Sequence, residues 1–181
     1  DIVLCIDRSG SMSSPVTAKD ENGNNIENYL SIQDIVNHAA NTVVKSLDSN
    51  SRLSIIAFDS EIQIVIDLTL MTEISKISTM EKVKLIRPRA QTNIWLAIET
   101  AIRTLDSREN KTRNSAILLL TDGSPNISPA RGEVETLKRL RQTKNFTTPI
   151  YTFGFGYALQ RGLLYELAKY GNGNNGHIPD G

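Results

Sequence analysis

Three short apolar runs constrain the fold of this chain more than any other feature of its sequence. They are Ile2–Ile6, Ala116–Leu120 and Pro149–Phe153. Each is rich in β-branched, leucine or aromatic residues and too short for a buried helix, which is the pattern of strands buried on both faces. Such strands occur mainly in parallel sheets, where crossover helices cover both faces. The runs therefore predict an α/β fold.

Two further strand candidates lie close together in the sequence. Leu53–Phe58 is a continuous apolar run apart from Ser54, and Ile62, Ile64 and Ile66 alternate with other residues after it. Three residues separate the two segments, which is too short for a parallel crossover. We therefore expect an antiparallel hairpin at one edge of the sheet.

Helical periodicity occupies the intervals between the strands. From Ile32 to Leu47, apolar residues recur at the i, i+3, i+4 spacing of an amphipathic helix. Ser31 is a candidate N-cap, with Asp34 three positions later. The other helix candidates are Met71–Ile86, Ile94–Leu105, Val134–Leu140 and Leu163–Ala168. Alternating strands and helices predict a layered α/β fold with a mainly parallel sheet, in which ligands bind at the carboxyl ends of the strands.

Composition excludes several classes of protein. The 181 residues carry 20 basic and 20 acidic side chains, so binding to nucleic acid or membranes through the overall field is not expected. The single cysteine, Cys5, rules out an internal disulfide and argues against a zinc–thiolate cluster. No apolar run approaches the roughly 20 residues that span a bilayer. We expect one domain over residues 1–181, excised from a larger protein.

Polar side chains with oxygen ligands follow the predicted strands. Asp7, Ser9 and Ser11 follow the first strand, Asp122 follows the strand that ends near Leu120, and Thr92 precedes a helix. Loops at the carboxyl ends of parallel strands meet at one edge of the sheet. Two carboxylates and three hydroxyls, without thiol or imidazole, form the ligand set preferred by Mg²⁺ or Mn²⁺.

Each of these pieces has a simpler explanation when it is taken alone. Asp122-Gly123 resembles an ordinary turn, the Ser-Gly-Ser segment an ordinary loop, and Thr92 could be the N-cap of the helix that begins at Ile94. Gly10 is expected to permit a tight turn between the two serines. Turn chemistry alone does not readily explain why all three pieces occur in this order at strand ends.

The combination of Asp7-x-Ser9-x-Ser11, Thr92 and Asp122 resembles the metal-ion-dependent adhesion site of von Willebrand factor type A domains, which include the integrin I-like domains. The resemblance implies a Rossmann-like, doubly wound sheet of six strands with one antiparallel edge strand and helices on both faces. It also implies that these five side chains bind Mg²⁺ or Mn²⁺, the hydroxyls directly and the carboxylates directly or through water.

The sequence departs from the family pattern in two places. Family members often have Gly-Gly before the threonine, where this chain has Ala90-Gln91. The family usually closes with a further helix beyond Ile178-Pro179-Asp180, whereas this sequence stops at Gly181. We therefore expect the C-terminal helix to be absent, and the geometry of the loop before Thr92 to differ from that of relatives.

The resemblance implies a non-enzymatic module that binds a protein partner. Two carboxylates roughly neutralise a divalent cation, and Mg²⁺ takes six oxygens, which leaves one position for a partner's Glu or Asp. One alternative is a Mg²⁺-dependent phosphoryl-transfer enzyme with Asp7 as nucleophile, although Ser9 replaces the second carboxylate of such enzymes and no lysine adjoins these loops. The other alternative is a structural domain that the metal only stabilises.

Four other features of the sequence lead to further expectations. The polar insert Ser14–Leu30 predicts a loop or a hairpin with an Asn-Gly turn rather than an EF-hand. Trp95 is expected to cover the sheet as a core aromatic. Arg8 and Arg89 could steer an acidic partner or simply be solvated. The Asp-Arg-Ser-Gly-Ser-Met form of the motif resembles intracellular members of the family somewhat more than extracellular ones.

Overall fold

Strands and helices alternate along the chain in the order that the sequence predicts. The computed structural model describes residues 1–19, 25–123, 125–144, 146–156 and 161–178. Within these residues the strands are β1 (Ile2–Asp7), β2 (Pro15–Lys19), β3 (Asn25–Ser31), β4 (Arg52–Phe58), β5 (Ile62–Leu70), β6 (Ala116–Thr121), β7 (Ile150–Phe155) and β8 (Asn175–Ile178). The helices are α1 (Ile32–Ser46), α2 (Glu73–Val83), α3 (Ile94–Asp106), α4 (Glu133–Lys144) and α5 (Arg161–Tyr170).

The main sheet has six strands in the described part of the chain, in the order β5-β4-β1-β6-β7-β8. All neighbouring pairs are parallel except β4 and β5, and β5 lies at the edge. The predicted hairpin is therefore confirmed, and so is the mixed sheet with one antiparallel edge strand. β1 lies between β4 and β6, so its carboxyl end opens between those of two parallel neighbours.

Helices cover both faces of the sheet, as the buried runs predict. Val3 and Cys5 of β1 pack on one face with residues of α3, α4 and α5. Leu4 and Ile6 pack on the other face with residues of α1 and α2. All four of these side chains are completely buried, which is why the β1 sequence shows no alternation of polar and apolar residues. Trp95 packs against the first cluster as a partly buried residue, as expected.

Local capping signals set the beginnings of two helices. Ser31 and Asp34 form the predicted capping box at the start of α1. Asn93, and not Thr92, caps α3, because its side-chain oxygen accepts a hydrogen bond from the Leu96 amide at 3.0 Å. The simpler explanation of Thr92 as a helix cap is therefore wrong. None of the described helices is long and apolar enough to cross a bilayer.

Three of the described strands, β2, β3 and β8, lie outside the predicted buried runs and the β4–β5 hairpin. β8 pairs in parallel with β7, although its Gly- and Asn-rich sequence carries no strand signal. The insert Ser14–Leu30 contains the antiparallel hairpin β2–β3, as expected. The predicted Asn22-Gly23 turn and the rest of the segment Asp20–Asn24 lie outside the described residues, as do the residues that follow Ile178.

Candidate metal-binding site

The topology brings together the loops that carry the five predicted ligands. Asp7 is the last residue of β1, and Asp122 directly follows β6. Because β1 and β6 are adjacent and parallel, their following loops emerge side by side at one edge of the sheet. Thr92 lies just before α3, which packs on β1. Ser9 and Ser11 lie in the loop that leaves β1 and begins a short 3₁₀ helix, Gly10–Ser13.

Asp7 is held rigidly at the base of this loop. Its Oδ1 accepts a hydrogen bond from the Ser9 amide at 2.8 Å, and its Oδ2 accepts one from the Thr121 hydroxyl at 2.5 Å. Asp7 and Ser9 are buried, whereas Ser11 is exposed. The hydroxyl oxygens of Ser9 and Ser11 lie 3.1 Å apart. The loop therefore presents two hydroxyls side by side between a buried carboxylate and solvent.

Backbone hydrogen bonds join the loop after β1 to the loop before α3. The Gly10 amide donates to the Ala90 carbonyl at 3.0 Å, and the Arg89 amide donates to the Arg8 carbonyl at 2.7 Å. These bonds run in opposite directions between the two loops. The position of Thr92 is therefore coupled to that of Ser9 and its neighbours.

Asn126 joins the loop before α3 to the loop after β6. Its side-chain oxygen accepts a hydrogen bond from the Thr92 amide at 3.1 Å, and its own amide donates to the Thr92 carbonyl at 2.9 Å. In the sequence Asn126 stands out only as part of an Asn-Ile-Ser segment, the pattern of a glycosylation acceptor. Its structural role depends on a partner far away in the sequence, so no local signal could have revealed it.

The electrostatics of Asp7 favour a nearby positive charge. Burial raises the pKa of its carboxyl most strongly, hydrogen bonds from Thr121 and Ser9 lower it, and the charge of Asp122 raises it; together these effects bring the pKa to about 7. Asp122 is thus close enough to repel an ionised Asp7. A cation between the two carboxylates would relieve this repulsion and stabilise both in their charged form.

Arg8 and Arg89 are engaged within the protein. The Asp59 carboxylate lies 2.8 Å from Nε of Arg8 and 2.7 Å from Nε of Arg89. Arg8 also donates to the side chain of Gln63, and Arg89 lies 2.6 Å from the carboxylate of Glu61. The alternatives of steering or solvated arginines are therefore both wrong for Arg8, which is buried. Sequence reasoning missed Asp59, which follows β4 and anchors both arginines.

The backbone of the two loops differs from expectation at two residues. Gly10 does not have a left-handed backbone, and a Cβ placed on it would lie 3.4 Å from the Ala90 carbonyl oxygen, an ordinary contact. The expected tight turn therefore does not depend on this glycine. Ala90 is the residue with a left-handed backbone, at a φ of 55°. This is the segment in which relatives often have Gly-Gly.

The donors available at this edge are hydroxyls as well as acids. Among the described residues, no group of three or more His, Cys, Asp or Glu side chains is placed to hold a metal ion. Only two carboxylates, Asp7 and Asp122, belong to the predicted ligand set, and the other three donors are neutral hydroxyls. Such a set would leave a bound divalent cation with little excess negative charge around it.

Comparison with known proteins places the chain in a family. The sequence profile of the von Willebrand factor type A domain matches residues 1–179. No curated protein sequence matches the chain.

Solved structures share the fold. The conserved hypothetical protein BatB from Bacteroides thetaiotaomicron superposes with a TM-score of 0.77 at 20% identity, over 99% of this chain and 90% of BatB. A von Willebrand factor type A protein from Catenulispora acidiphila gives a TM-score of 0.79 at 18% identity, over 98% of this chain and 38% of that one. The manganese-loaded TRAP protein of Plasmodium vivax gives a TM-score of 0.64 at 23% identity, over 93% of this chain and 61% of that one.

The near-complete profile match agrees with the observed topology. The six-stranded mixed sheet, with its antiparallel edge strand and helices on both faces, is the architecture that the sequence resemblance implied. The chain belongs to the von Willebrand factor type A domain family.

Proposed function

We propose that this domain binds a divalent cation, Mg²⁺ or Mn²⁺, through Asp7, Ser9, Ser11, Thr92 and Asp122, and uses it to hold an acidic side chain of a protein partner. Domains of this family commonly mediate protein–protein interactions. The cation requirement, the five ligands and the acidic partner go beyond that shared property.

The spacing of two hydroxyl oxygens carries the proposal. Adjacent ligand oxygens around an octahedral Mg²⁺, with bonds of about 2.1 Å, lie about 3 Å apart. The Ser9 and Ser11 hydroxyl oxygens share a hydrogen bond and lie 3.1 Å apart, a separation that would also suit two ligands of one cation. The donor set therefore fits a small hard cation in kind, and the two serine hydroxyls fit it in spacing. The solved structure of the Plasmodium vivax TRAP protein is manganese-loaded, which makes Mn²⁺ a reasonable probe for this chain.

The charge of the donor set supports an acidic ligand. A bound divalent cation would act as a Lewis acid with a coordination position open to a carboxylate. The two carboxylates of the set offset its charge, and the three hydroxyls donate lone pairs without adding charge. Asp7 is held by Ser9 and Thr121, and Thr92 by Asn126, so these donors need little rearrangement. Partner recognition would then depend on one carboxylate and on the loops around it.

We propose that the site binds without catalysing a reaction. Phosphoryl transfer from Asp7 would need a second acid or base nearby and a cation free to contact the transferred group. Ser9 occupies the position of that second acid. The neighbouring cations Arg8 and Arg89 already pair with Asp59. Mg²⁺-dependent hydrolysis of a generic phosphate ester that is abolished by Asp7→Asn would overturn this part of the proposal.

Titration calorimetry with Mn²⁺ and Mg²⁺ tests the cation site. We expect saturable binding to the wild type and loss of binding for Asp7→Ala and Ser11→Ala. Ser13→Ala is the matched control, because Ser13 lies in the same 3₁₀ helix and bonds to the Gly10 carbonyl rather than to the ligand set. Binding that is unchanged in Asp7→Ala and Ser11→Ala would contradict the assignment of the ligands.

A second experiment tests the acidic partner. The probe is a short peptide with one glutamate, compared with the same peptide carrying glutamine, each in Mn²⁺ and in EDTA. We expect binding of the glutamate peptide in Mn²⁺ only, detected by its displacement of water from the bound ion in proton relaxation. Cation binding without any preference for the glutamate peptide would instead support a site that only stabilises the domain.

A further inference from the structure

A cluster of basic side chains surrounds one carboxylate at the opposite end of the sheet. Asp1 precedes β1, and its fully buried carboxylate lies 2.7 Å from Arg52, 2.7 Å from Arg108 and 2.9 Å from Arg113. The three arginines come from the start of β4 and from the segment between α3 and β6. This arrangement lies at the amino ends of the parallel strands, away from the loops that carry Asp7 and Asp122.

The cluster carries more positive than negative charge. Lys111 is exposed next to the arginines and pairs with no carboxylate among the described residues. Asp1 is the acid in direct contact with the arginines, and Asp106 acts on Arg108 from a greater distance. Basic side chains therefore outnumber acidic ones in this cluster. The chain as a whole is neutral, so this excess is a local feature rather than a reflection of composition.

The arginines repel one another within this cluster. Arg108 has only 7% of its side chain exposed. Burial lowers the pKa of its guanidinium below the ordinary value, and the charges of Arg52 and Arg113 lower it further, against the opposing effect of Asp106. An anion in contact with this cluster would reduce the repulsion. The Asp1 carboxylate already offsets part of this repulsion, and a further anion would offset more of it.

A cavity of about 680 Å³ opens beside these cations. Arg108, Lys111 and Arg113 line it together with hydroxyl side chains. The Ser115 hydroxyl lies 3.4 Å from Arg108 Nη2 and 2.8 Å from the Thr148 hydroxyl. Guanidinium forks, an ammonium group and hydroxyl donors are the groups that bind phosphate oxygens in proteins. Arg113 is held in place by Asp1 and by the Asn50 carbonyl, so part of the cavity wall is preorganised.

We propose that this basal cavity binds a doubly charged oxyanion of the phosphate class, either as free phosphate or as a phosphoryl group on a larger ligand. A doubly charged anion suits a cluster in which basic side chains outnumber acidic ones. The six residues of β1 separate this cavity from the proposed cation site by roughly 20 Å. Binding here would therefore be independent of the cation and of Asp7.

The test is a titration of the isotope-labelled protein with inorganic phosphate, followed by amide chemical shifts in EDTA at constant ionic strength. We expect saturable shifts confined to residues 108–116 and 147–151, with a Kd on the order of 1 mM. Lys111→Gln should weaken binding roughly fivefold, since it removes one cation without breaking an ion pair. Lys84→Gln, just after α2, removes a cation whose ion pair with Glu81 is exposed, and it should leave the Kd unchanged.

Titrations with other ligands distinguish the possible sources of the phosphate group. O-phosphoserine that binds more tightly than inorganic phosphate would identify a phosphoryl group on a larger ligand, whereas equal affinities would identify the free anion. Acetate should bind at least tenfold more weakly than phosphate, and equal binding would overturn the assignment of a doubly charged ligand. Asp7→Ala should bind phosphate normally, which keeps this result separate from any failure of the cation site.

Two results would overturn the proposal altogether. One is a set of shifts that grow linearly with anion concentration and are reproduced by chloride. The other is equal affinity of the wild type and Lys111→Gln for phosphate. Arg113→Gln gives a second variant, in which weaker binding is expected together with an unchanged circular dichroism spectrum.

Discussion

Arg8 and Asp59 form an ion pair that is almost completely buried, with Nε and Oδ2 2.8 Å apart and side chains 9% and 0% exposed. The same carboxylate oxygen lies 2.7 Å from Nε of Arg89. One acid thus connects the loop after β1 with the loop before α3. Because Arg8 directly follows Asp7, and Arg89 precedes Thr92 by three residues, this acid supports the geometry of two predicted ligand loops.

Asp59→Asn should destabilise the domain strongly. Removing the charge of one partner in a buried pair leaves the other charge uncompensated and costs about 3–5 kcal/mol. Asparagine keeps an oxygen to which an arginine can donate, so we expect the lower end, about 3 kcal/mol. Urea unfolding followed by circular dichroism measures this loss in the free energy of unfolding.

Glu61→Gln is the matched control for that experiment. Glu61 lies 2.6 Å from Arg89, but its side chain is 73% exposed, so water screens the pair. We expect a much smaller loss of stability than for Asp59→Asn. Equal losses of stability in the two variants would mean that the buried Arg8–Asp59 pair stabilises the domain no more than the exposed Arg89–Glu61 pair does.

The stabilisation from Asp59 should disappear in acid. Burial alone would raise the pKa of this carboxyl, but hydrogen bonds from Arg89 and the Glu61 amide, together with the charges of Arg8 and Arg89, hold it below the ordinary value. A group with a lowered pKa in the folded state stabilises the protein fully above the pKa of the unfolded chain, about 4. That contribution is lost as the pH falls through the lower pKa of the folded state.

Urea unfolding of the wild type and Asp59→Asn at a series of pH values measures this effect. The difference in their free energies of unfolding should stay constant above about pH 5 and shrink progressively below about pH 4. A difference that persists unchanged into strong acid would show that Asp59 acts by packing rather than by charge.

Sequence reasoning succeeded where the signal is local. The buried strands and the Ser31–Asp34 capping box depend on neighbouring residues, and both were predicted. β8 has no such signal, because close backbone contact with β7 holds the chain there: a Cβ on Gly173, just before β8, would lie 2.1 Å from the Ile150 carbonyl oxygen. Asp59 and Asn126 were missed for the same reason, since their partners come from other loops.

Ala90→Gly should stabilise the domain slightly. Ala90 has a φ of 55°, a left-handed conformation that costs a residue with a Cβ roughly 1–2 kcal/mol. Glycine removes this cost but makes the unfolded chain more flexible, at a loss of about 0.4–1 kcal/mol. The expected net gain in the free energy of unfolding is therefore about 0.5–1 kcal/mol, measured by urea unfolding.

Gln91→Gly serves as the control, because the backbone of Gln91 is not left-handed. This substitution destabilises the domain only by making the unfolded chain more flexible, so the free energy of unfolding should fall by about 0.4–1 kcal/mol. Opposite signs in the two variants are the expected result. A loss of stability in Ala90→Gly as large as in Gln91→Gly would contradict the strain at Ala90.

Asn126→Ala should weaken cation binding more than it weakens the fold. Its side-chain oxygen accepts from the Thr92 amide at 3.1 Å and joins the loop before α3 to the loop after β6. Residues that orient metal ligands typically change metal affinity by 10–100-fold when removed, so we expect the Kd for Mn²⁺ to rise roughly tenfold. Calorimetric titration gives the Kd, and urea unfolding gives the change in stability.

Asn110→Ala provides the comparison for Asn126→Ala. Asn110 also bonds to a backbone amide through its side-chain oxygen, that of Thr112 at 2.9 Å, but in the segment between α3 and β6 at the other end of the sheet. Its removal should leave the Kd for Mn²⁺ unchanged. If Asn126→Ala also leaves that Kd unchanged while Thr92→Ala abolishes binding, the hydrogen bond from Thr92 to Asn126 does not position the ligand.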